Sequence, residues 1–334
     1  MGRKTKKMTD ITKEQWDQVN EENRSLVIDF LEYCQTIDRS PETINGYTSD
    51  LHIAMVWLKD NMKNKEFYDI NKRDVSKFQN WCIQNGLSSS RIRRLRSALS
   101  SLSNYIENML DDSYPNFKNI INKIPAPPLT NIREKTIMSN EFIDKLLEDL
   151  LKENKIQQAC FVAVLIASGM RKSEVVLCNM DWFFKNPIIR EGMYITPEIR
   201  TKGKGIAGSR KNKFLIKEIV DKYLDLWKKE RERLNIDNEA LFVVKRNNKW
   251  ERIKCSTVDS WMEKFTIMTG EDNYAHAYRH YSATWLKKNG VSIDKIRDFL
   301  GHKDSSTSEI YIDIGKEENL KGMLDFLKEG DTNG

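Results

Sequence analysis

Three of the chain's four histidines, His276, His280 and His302, lie close together near the C-terminal end, with Arg279 three residues after His276 and Tyr311 nine after His302. Within 36 residues the segment therefore offers imidazole, guanidinium and phenol. A guanidinium is a permanently charged planar fork for an anion, an imidazole exchanges protons near neutral pH, and a phenol oxygen can form an ester. Together they suit a negatively charged substrate attacked by a hydroxyl nucleophile. Each group also has a structural reading: Tyr311 as a helix tyrosine packed on Leu300, His302 as a helix cap, His276 as a core histidine bonded to backbone. His280 reads as structural.

More chemistry lies a hundred residues upstream. QQACFVAVLIASGM, residues 157–170, is apolar nearly all round and predicts a central buried helix ending at Gly169. Arg171 follows at once, with Ser173 and Glu174 opening another helix, so Arg171 is either a structural ion-pair partner or an oriented anion clamp. From Pro187 to Leu215 the period changes: residues 192–196 alternate like a strand, 199–202 continue it, GKGIAGSRKN makes a flexible tip, and 213–216 return. A small antiparallel sheet with a lysine-rich tip is expected.

The positioning elements divide into two groups. Apolar stripes at helical spacing, with Ser40-Pro41, Asn71 and the Ser88–Ser90 cluster as starts, predict four helices over residues 21–112. After a basic leader, 1–20, this is the first domain. Residues 113–136 carry Pro115, Pro125, Pro127 and Pro128 and lack helical periodicity, which predicts a linker. Residues 137–334 form the second domain, entered through a helix capped by Ser139.

With 334 residues the chain has room for two cores. Its 55 Lys and Arg against 49 Asp and Glu leave only +6, so clustering matters more than the sum. Arg91, Arg93, Arg94 and Arg96 begin the fourth helix; Arg200, Lys202, Lys204, Arg210, Lys211, Lys213 and Lys217 fall within eighteen residues that hold no acid. Both runs read as candidates to track a phosphate backbone, with a solvated surface as the alternative. Five widely spaced cysteines without a CxxC pair read as reduced thiols of a cytoplasmic protein. No run is long and apolar enough for export or membrane insertion.

In order, Gly-Met-Arg-Lys-Ser-Glu, the lysine hairpin, HAYRH at 276–280 and LGHKDSSTSEIY, ending at Tyr311, resemble the tyrosine recombinases, the family of phage integrases and the Xer and Cre enzymes. A lone H-x-x-R would arise by chance in roughly one such chain in five, so the ordered set carries the resemblance. It covers about residues 137–327, and the helical first domain matches more weakly.

The resemblance implies a mainly α fold with a small antiparallel sheet: an N-terminal helical core-binding domain and a C-terminal catalytic domain that clamp duplex DNA. Arg171 and Arg279 match the two arginines that grip the scissile phosphate, His276 and His302 the histidines that bond it, and Tyr311 the nucleophile. His276 is also a candidate to accept the tyrosine proton. Lys202, with Lys204 as the alternative, matches the lysine that protonates the leaving 5′ oxygen, and Glu174 the acid that orients Arg171. Arg91, Arg93, Arg94, Arg96, Arg200, Lys204, Arg210, Lys211 and Lys213 are the expected DNA contacts.

No metal or other cofactor is expected, because a phosphotyrosyl ester keeps the energy of the broken DNA bond. The expected partners are double-stranded recombination sites, accessory DNA-bending proteins and further copies of the chain, four at synapsis. The stripe Leu320, Met323, Leu324 and Leu327, between Glu317 and Leu327, serves either as a contact between protomers or as packing on its own domain. About 20 residues before the first core helix are too few for a separate arm-binding domain, which favours a Xer-like or mobile-element enzyme. The alternatives are a non-catalytic DNA-binding or site-pairing protein and a type IB topoisomerase. Tyr278 and Asp313 depart from the family pattern, and bear on substrate preference.

Overall fold

The computed structural model describes residues 10–129, 138–201 and 209–301, and these fall into two compact units, the first ending before the second begins at Met138. Lys202, Lys204, His302, Tyr311 and the 317–327 stripe lie outside the described residues.

The first unit holds α1 (Lys13–Asp17), α2 (Glu21–Thr36), α3 (Pro41–Asn61), α4 (Lys72–Gln84) and α5 (Ser89–Met109). The helix α1 falls within the expected leader, whereas the starts of α3, α4 and α5 are the expected ones. Ser40 caps α3 with Pro41 at its first position, Asn71 and Asp74 form a reciprocal capping box on α4, and Ser88 accepts from the Arg91 amide. Leu26, Val27, Phe30, Leu51, Met55, Phe78, Leu95, Leu102 and Ile106 meet in one core.

The leader and the linker both differ from expectation. Val19 is buried in this core and Trp16 stacks on His52 at 3.8 Å, so the chain joins the fold before residue 21. After α5, Ile121 is buried and Tyr114, Phe117, Ile120 and Ile124 pack on the same core. Polar groups fix this stretch as well: Asn119 donates to the Ser100 hydroxyl at 3.0 Å, and Arg93 Nε to the Pro127 carbonyl at 3.0 Å. The strap through residue 127 is thus built into the first unit. Its apolar residues follow no helical period because their backbone is extended and turned.

The basic start of α5 is also changed. Arg96 is buried; its Nη1 donates to Gln79 at 2.8 Å and its Nη2 to the carbonyls of Ile121, at 2.8 Å, and Ile124. It is a pin for the strap, which corrects the expected DNA contact. Arg91 and Arg94 both pair with Asp50, which is 2% exposed, while the Arg93 and Arg94 side chains still face solvent. Arg96→Met should lower the urea midpoint of the chain, since it strands buried carbonyls at a cost of about 1–3 kcal/mol.

Asp74 supplies a pH dependence. Burial alone would raise its pKa, but the Lys65 ammonium at 2.9 Å, the Asn71 amide and the Lys77 charge together hold it below the ordinary value. A depressed folded pKa gives stability that is present above the unfolded-state value and lost as pH falls through the folded one. Asp74→Asn should therefore cost about 1–2 kcal/mol near pH 7 and flatten the acid limb of stability against pH. Denaturant titrations between neutral and strongly acidic pH check this.

The second unit runs α6 (Asn140–Lys152), α7 (Ile156–Ser168), α8 (Lys172–Val175), α9 (Asp181–Phe184), β1 (Ile188–Arg190), β2 (Met193–Ile195), β3 (Ile199–Thr201), β4 (Ser209–Lys211), β5 (Phe214–Ile216), α10 (Lys217–Arg233), β6 (Val243–Arg246), β7 (Lys249–Arg252), α11 (Cys255–Thr269), α12 (Ala275–Lys288) and α13 (Ile293–Leu300). As its all-round apolarity predicts, α7 is the central helix, buried from Ala159 to Ser168 and packed by α6, α10 and α12.

Among the described residues the strands form three small antiparallel sheets, β1-β2-β5, β3-β4 and β6-β7. Pro197 lies between β2 and β3; without an N–H it interrupts the ladder, so the expected long hairpin is divided in two. No helix among the described residues is long and apolar enough to cross a membrane.

Candidate active site

The site is built around the turn that leaves α7. Gly169 ends the helix in the left-handed region, φ +56°, and a Cβ there would lie 2.4 Å from the buried Leu300 side chain. Glycine is the residue that meets both demands. Two residues on, Arg171 caps α8: its amide donates to Glu174 Oε2 at 2.9 Å and its Nη1 to Oε1 at 3.0 Å. Glu174 is buried, whereas the Arg171 side chain keeps a third of its surface exposed. An ion pair and a partly exposed side chain coexist in this one residue.

His276 and Arg279 stand three apart on α12 and so share a face of the helix. That helix is held to α7 by Ser282, whose hydroxyl donates to the Ile166 carbonyl at 2.8 Å. Arg279 is 1% exposed, its Nη1 donating to the Gly169 carbonyl and its Nη2 to that of Leu300 at 2.9 Å. It thereby joins the turn before Arg171 to the end of α13. Tyr278 is buried and donates to Asn273 Oδ1 at 2.6 Å, so its hydroxyl is satisfied inside the domain.

His276 lies at the surface, edge-on to the His280 ring at 4.5 Å. Partial desolvation, then the charges of Arg279 and Arg171, hold its pKa below the ordinary value. Its neutral form is therefore favoured at pH 7, and a neutral imidazole can accept a proton. Both arginines thus bear on His276, although Arg171 lies over a hundred residues upstream of it.

Lys213 departs from its expected place. It is 2% exposed, with Nζ 3.2 Å from Glu174 Oε2 and 3.5 Å from the Leu300 carbonyl. Burial chiefly lowers its pKa, and Arg279 and Arg171 lower it further, while Glu174 opposes them. It is an interior group of the site, which corrects its assignment as a DNA contact. Period-two alternation held the signal: Lys213, one residue before β5, is buried in step with Leu215.

Arg200 and Arg210, by contrast, are exposed and directly opposite each other across β3-β4. Like charges in that position repel; a polyanion beside them would relieve the repulsion. Lys211 is half-buried next to Arg210. Gly301 ends α13 with φ +72°, one residue before the undescribed His302.

Comparisons with known proteins agree over most of the chain. The model of the Phage integrase family matches residues 136–318, and that of the Phage integrase, N-terminal SAM-like domain, residues 27–108. The SPbeta prophage-derived recombinase-like protein YomM of Bacillus subtilis (strain 168) is 28% identical over 329 residues, covering 95% of each chain. A tyrosine recombinase of Thermosipho africanus (strain TCF52B) is 26% identical over 309 residues, 88% of this chain and 96% of that one. Among solved structures, XerH site-specific recombinase in its post-cleavage complex with palindromic difH substrate superposes with a TM-score of 0.67 at 20% identity, covering 97% of this chain and 99% of that one. A lambda integrase tetramer bound to a Holliday junction gives 0.64 at 13% identity, covering 88% and 79%.

Proposed function

The chain belongs to the phage integrase family, and from that premise we infer that it is a site-specific DNA recombinase, Xer-like or serving a mobile element, that cleaves and rejoins strands through a 3′-phosphotyrosyl intermediate. The observation that carries this reading is the joining of Arg171, His276 and Arg279 around the Gly169 turn, where Arg279 bonds the Gly169 carbonyl and both arginines act on His276.

In the proposed reaction the Tyr311 oxygen attacks the scissile phosphorus. Arg171 and Arg279 donate to the non-bridging oxygens and stabilise the charge of the pentacoordinate transition state. His276 and His302 bond the same phosphate, and neutral His276 takes the phenol proton. The 5′ oxygen leaves with a proton from Lys202, or from Lys204 if the register slips by two. One phosphodiester is exchanged for another ester, so a 5′ hydroxyl can reverse the attack on the partner strand.

The helical first unit is assigned to DNA binding and the second to catalysis. Arg91, Arg93, Arg94, Arg200, Arg210, Lys204 and Lys211 remain the candidates for backbone contact, Arg91 and Arg94 sharing their charge with Asp50. Recombination then proceeds on two duplex sites with self-association of the chain, residues 317–327 being the proposed contact, in the cytoplasm, with DNA-bending proteins as candidate accessories.

A nicked-duplex library with randomised arms tests the reading. Incubated without metal, the protein should form an adduct that survives denaturation, and sequencing the captured strands would give the site. Binding without any adduct would favour a non-catalytic site-pairing protein; adducts without sequence preference would favour a topoisomerase.

A further inference from the structure

We infer that Lys213 is a positioning residue for strand cleavage: by holding the second oxygen of Glu174, it keeps the Arg171 guanidinium turned toward the scissile phosphate. This rests on the reading of Arg171 as a phosphate clamp.

A buried carboxylate beside an arginine commonly takes both prongs of the guanidinium fork. Here it does not. Glu174 Oε1 accepts Arg171 Nη1 at 3.0 Å, while Oε2 accepts the Arg171 amide at 2.9 Å and has the Lys213 ammonium at 3.2 Å. Lys213 therefore competes with the Arg171 side chain for the same carboxylate. Glu174 and the Lys213 side chain are 1% and 3% exposed, so this competition takes place away from water, where charge interactions are strong.

The backbone of Lys213 is also fixed. Its amide donates to the Thr196 hydroxyl at 2.9 Å and its carbonyl accepts from the Thr196 amide at 2.9 Å. The ammonium further approaches the Leu300 carbonyl, at 3.5 Å, that also receives Arg279. One lysine thus ties the base of the hairpin to the acid that holds Arg171 and to the chain end leading to His302. Burying an ammonium is costly, and an apolar side chain would pack there with less penalty. The cost is intelligible if the charge is needed: Lys213 and Arg171 leave their cluster with Glu174 net positive, as an anionic transition state requires. The lowered pKa of Lys213 fits a charge held against desolvation and two arginines. Its ammonium is engaged with Glu174 Oε2 and the Leu300 carbonyl, so it acts through Glu174.

The experiment uses the full chain and a nicked duplex recovered from the library above. Single-turnover adduct formation and DNA affinity are measured for Lys213→Met, Lys213→Arg, Glu174→Gln and the Lys213→Met/Glu174→Gln double variant, with thermal unfolding as the folding control. Lys213→Met should slow adduct formation about 100-fold, the scale of a misplaced catalytic group. DNA affinity should stay within about threefold. Lys213→Arg, which keeps the cation, should restore much of the rate, and the double variant should be no slower than the slower single one. A wild-type rate in Lys213→Met, a rate loss matched by lost affinity, equal loss in the Met and Arg variants, or additive losses in the double variant would each overturn the inference and leave the recombinase reading intact. No adduct from the unsubstituted protein overturns both.

Discussion

Tyr311→Phe is expected to abolish the covalent protein–DNA adduct, a loss of about 10⁴-fold or more, while DNA affinity changes little. The substitution removes one oxygen and keeps the ring, so any packing role of the side chain survives it. What disappears is the oxygen proposed to form the ester. In the proposed reaction His276 and the two arginines would bond the phosphate through nitrogen, and none of them offers a hydroxyl to replace it. Denaturing electrophoresis of the nicked-duplex reaction reads the adduct, and fluorescence anisotropy reads the affinity. An adduct that persists in the variant removes Tyr311 from its role.

Arg279→Lys carries the second largest effect, because two functions depend on the shape of the guanidinium. The side chain reaches the Gly169 and Leu300 carbonyls at once. An ammonium is a compact donor on a flexible stem and cannot span both while also meeting a phosphate. Adduct formation should fall about 10²–10³-fold, as on loss of one donor to a transition-state oxyanion. Stability should fall as well, by about 1–3 kcal/mol for a buried carbonyl left without its partner. Single-turnover kinetics at saturating duplex and a urea titration separate the two losses. A lysine variant with wild-type rate would mean that the charge suffices and that the fork has no part in catalysis.

Much of this was legible in the residues. The caps Ser40, Asn71, Ser88 and Ser139 mark helix starts that the structure contains, since a side-chain acceptor before an apolar stripe has few other uses. The H-x-x-R spacing puts His276 and Arg279 on one helix face. Harder to read were residues whose charge conceals burial. Arg96 lies four residues after Ile92 and three before Leu99, on the buried stripe of α5, and its fork is consumed by carbonyls of a strap without periodicity. Lys213 is hidden in the same way, within a basic run whose exposed members, Arg200 and Arg210, obscure the alternation that turns it inward. Asp50, which gathers Arg91 and Arg94, gives no local sign because its partners are over forty residues away.

The most direct test of the central claim is to digest the denatured adduct with nuclease and protease and locate the nucleotide-bearing residue by mass spectrometry. The account predicts a phosphodiester between Tyr311 and a DNA 3′ end, with a free 5′ hydroxyl on the released strand. Attachment to another residue, or through a 5′ phosphate, would contradict it.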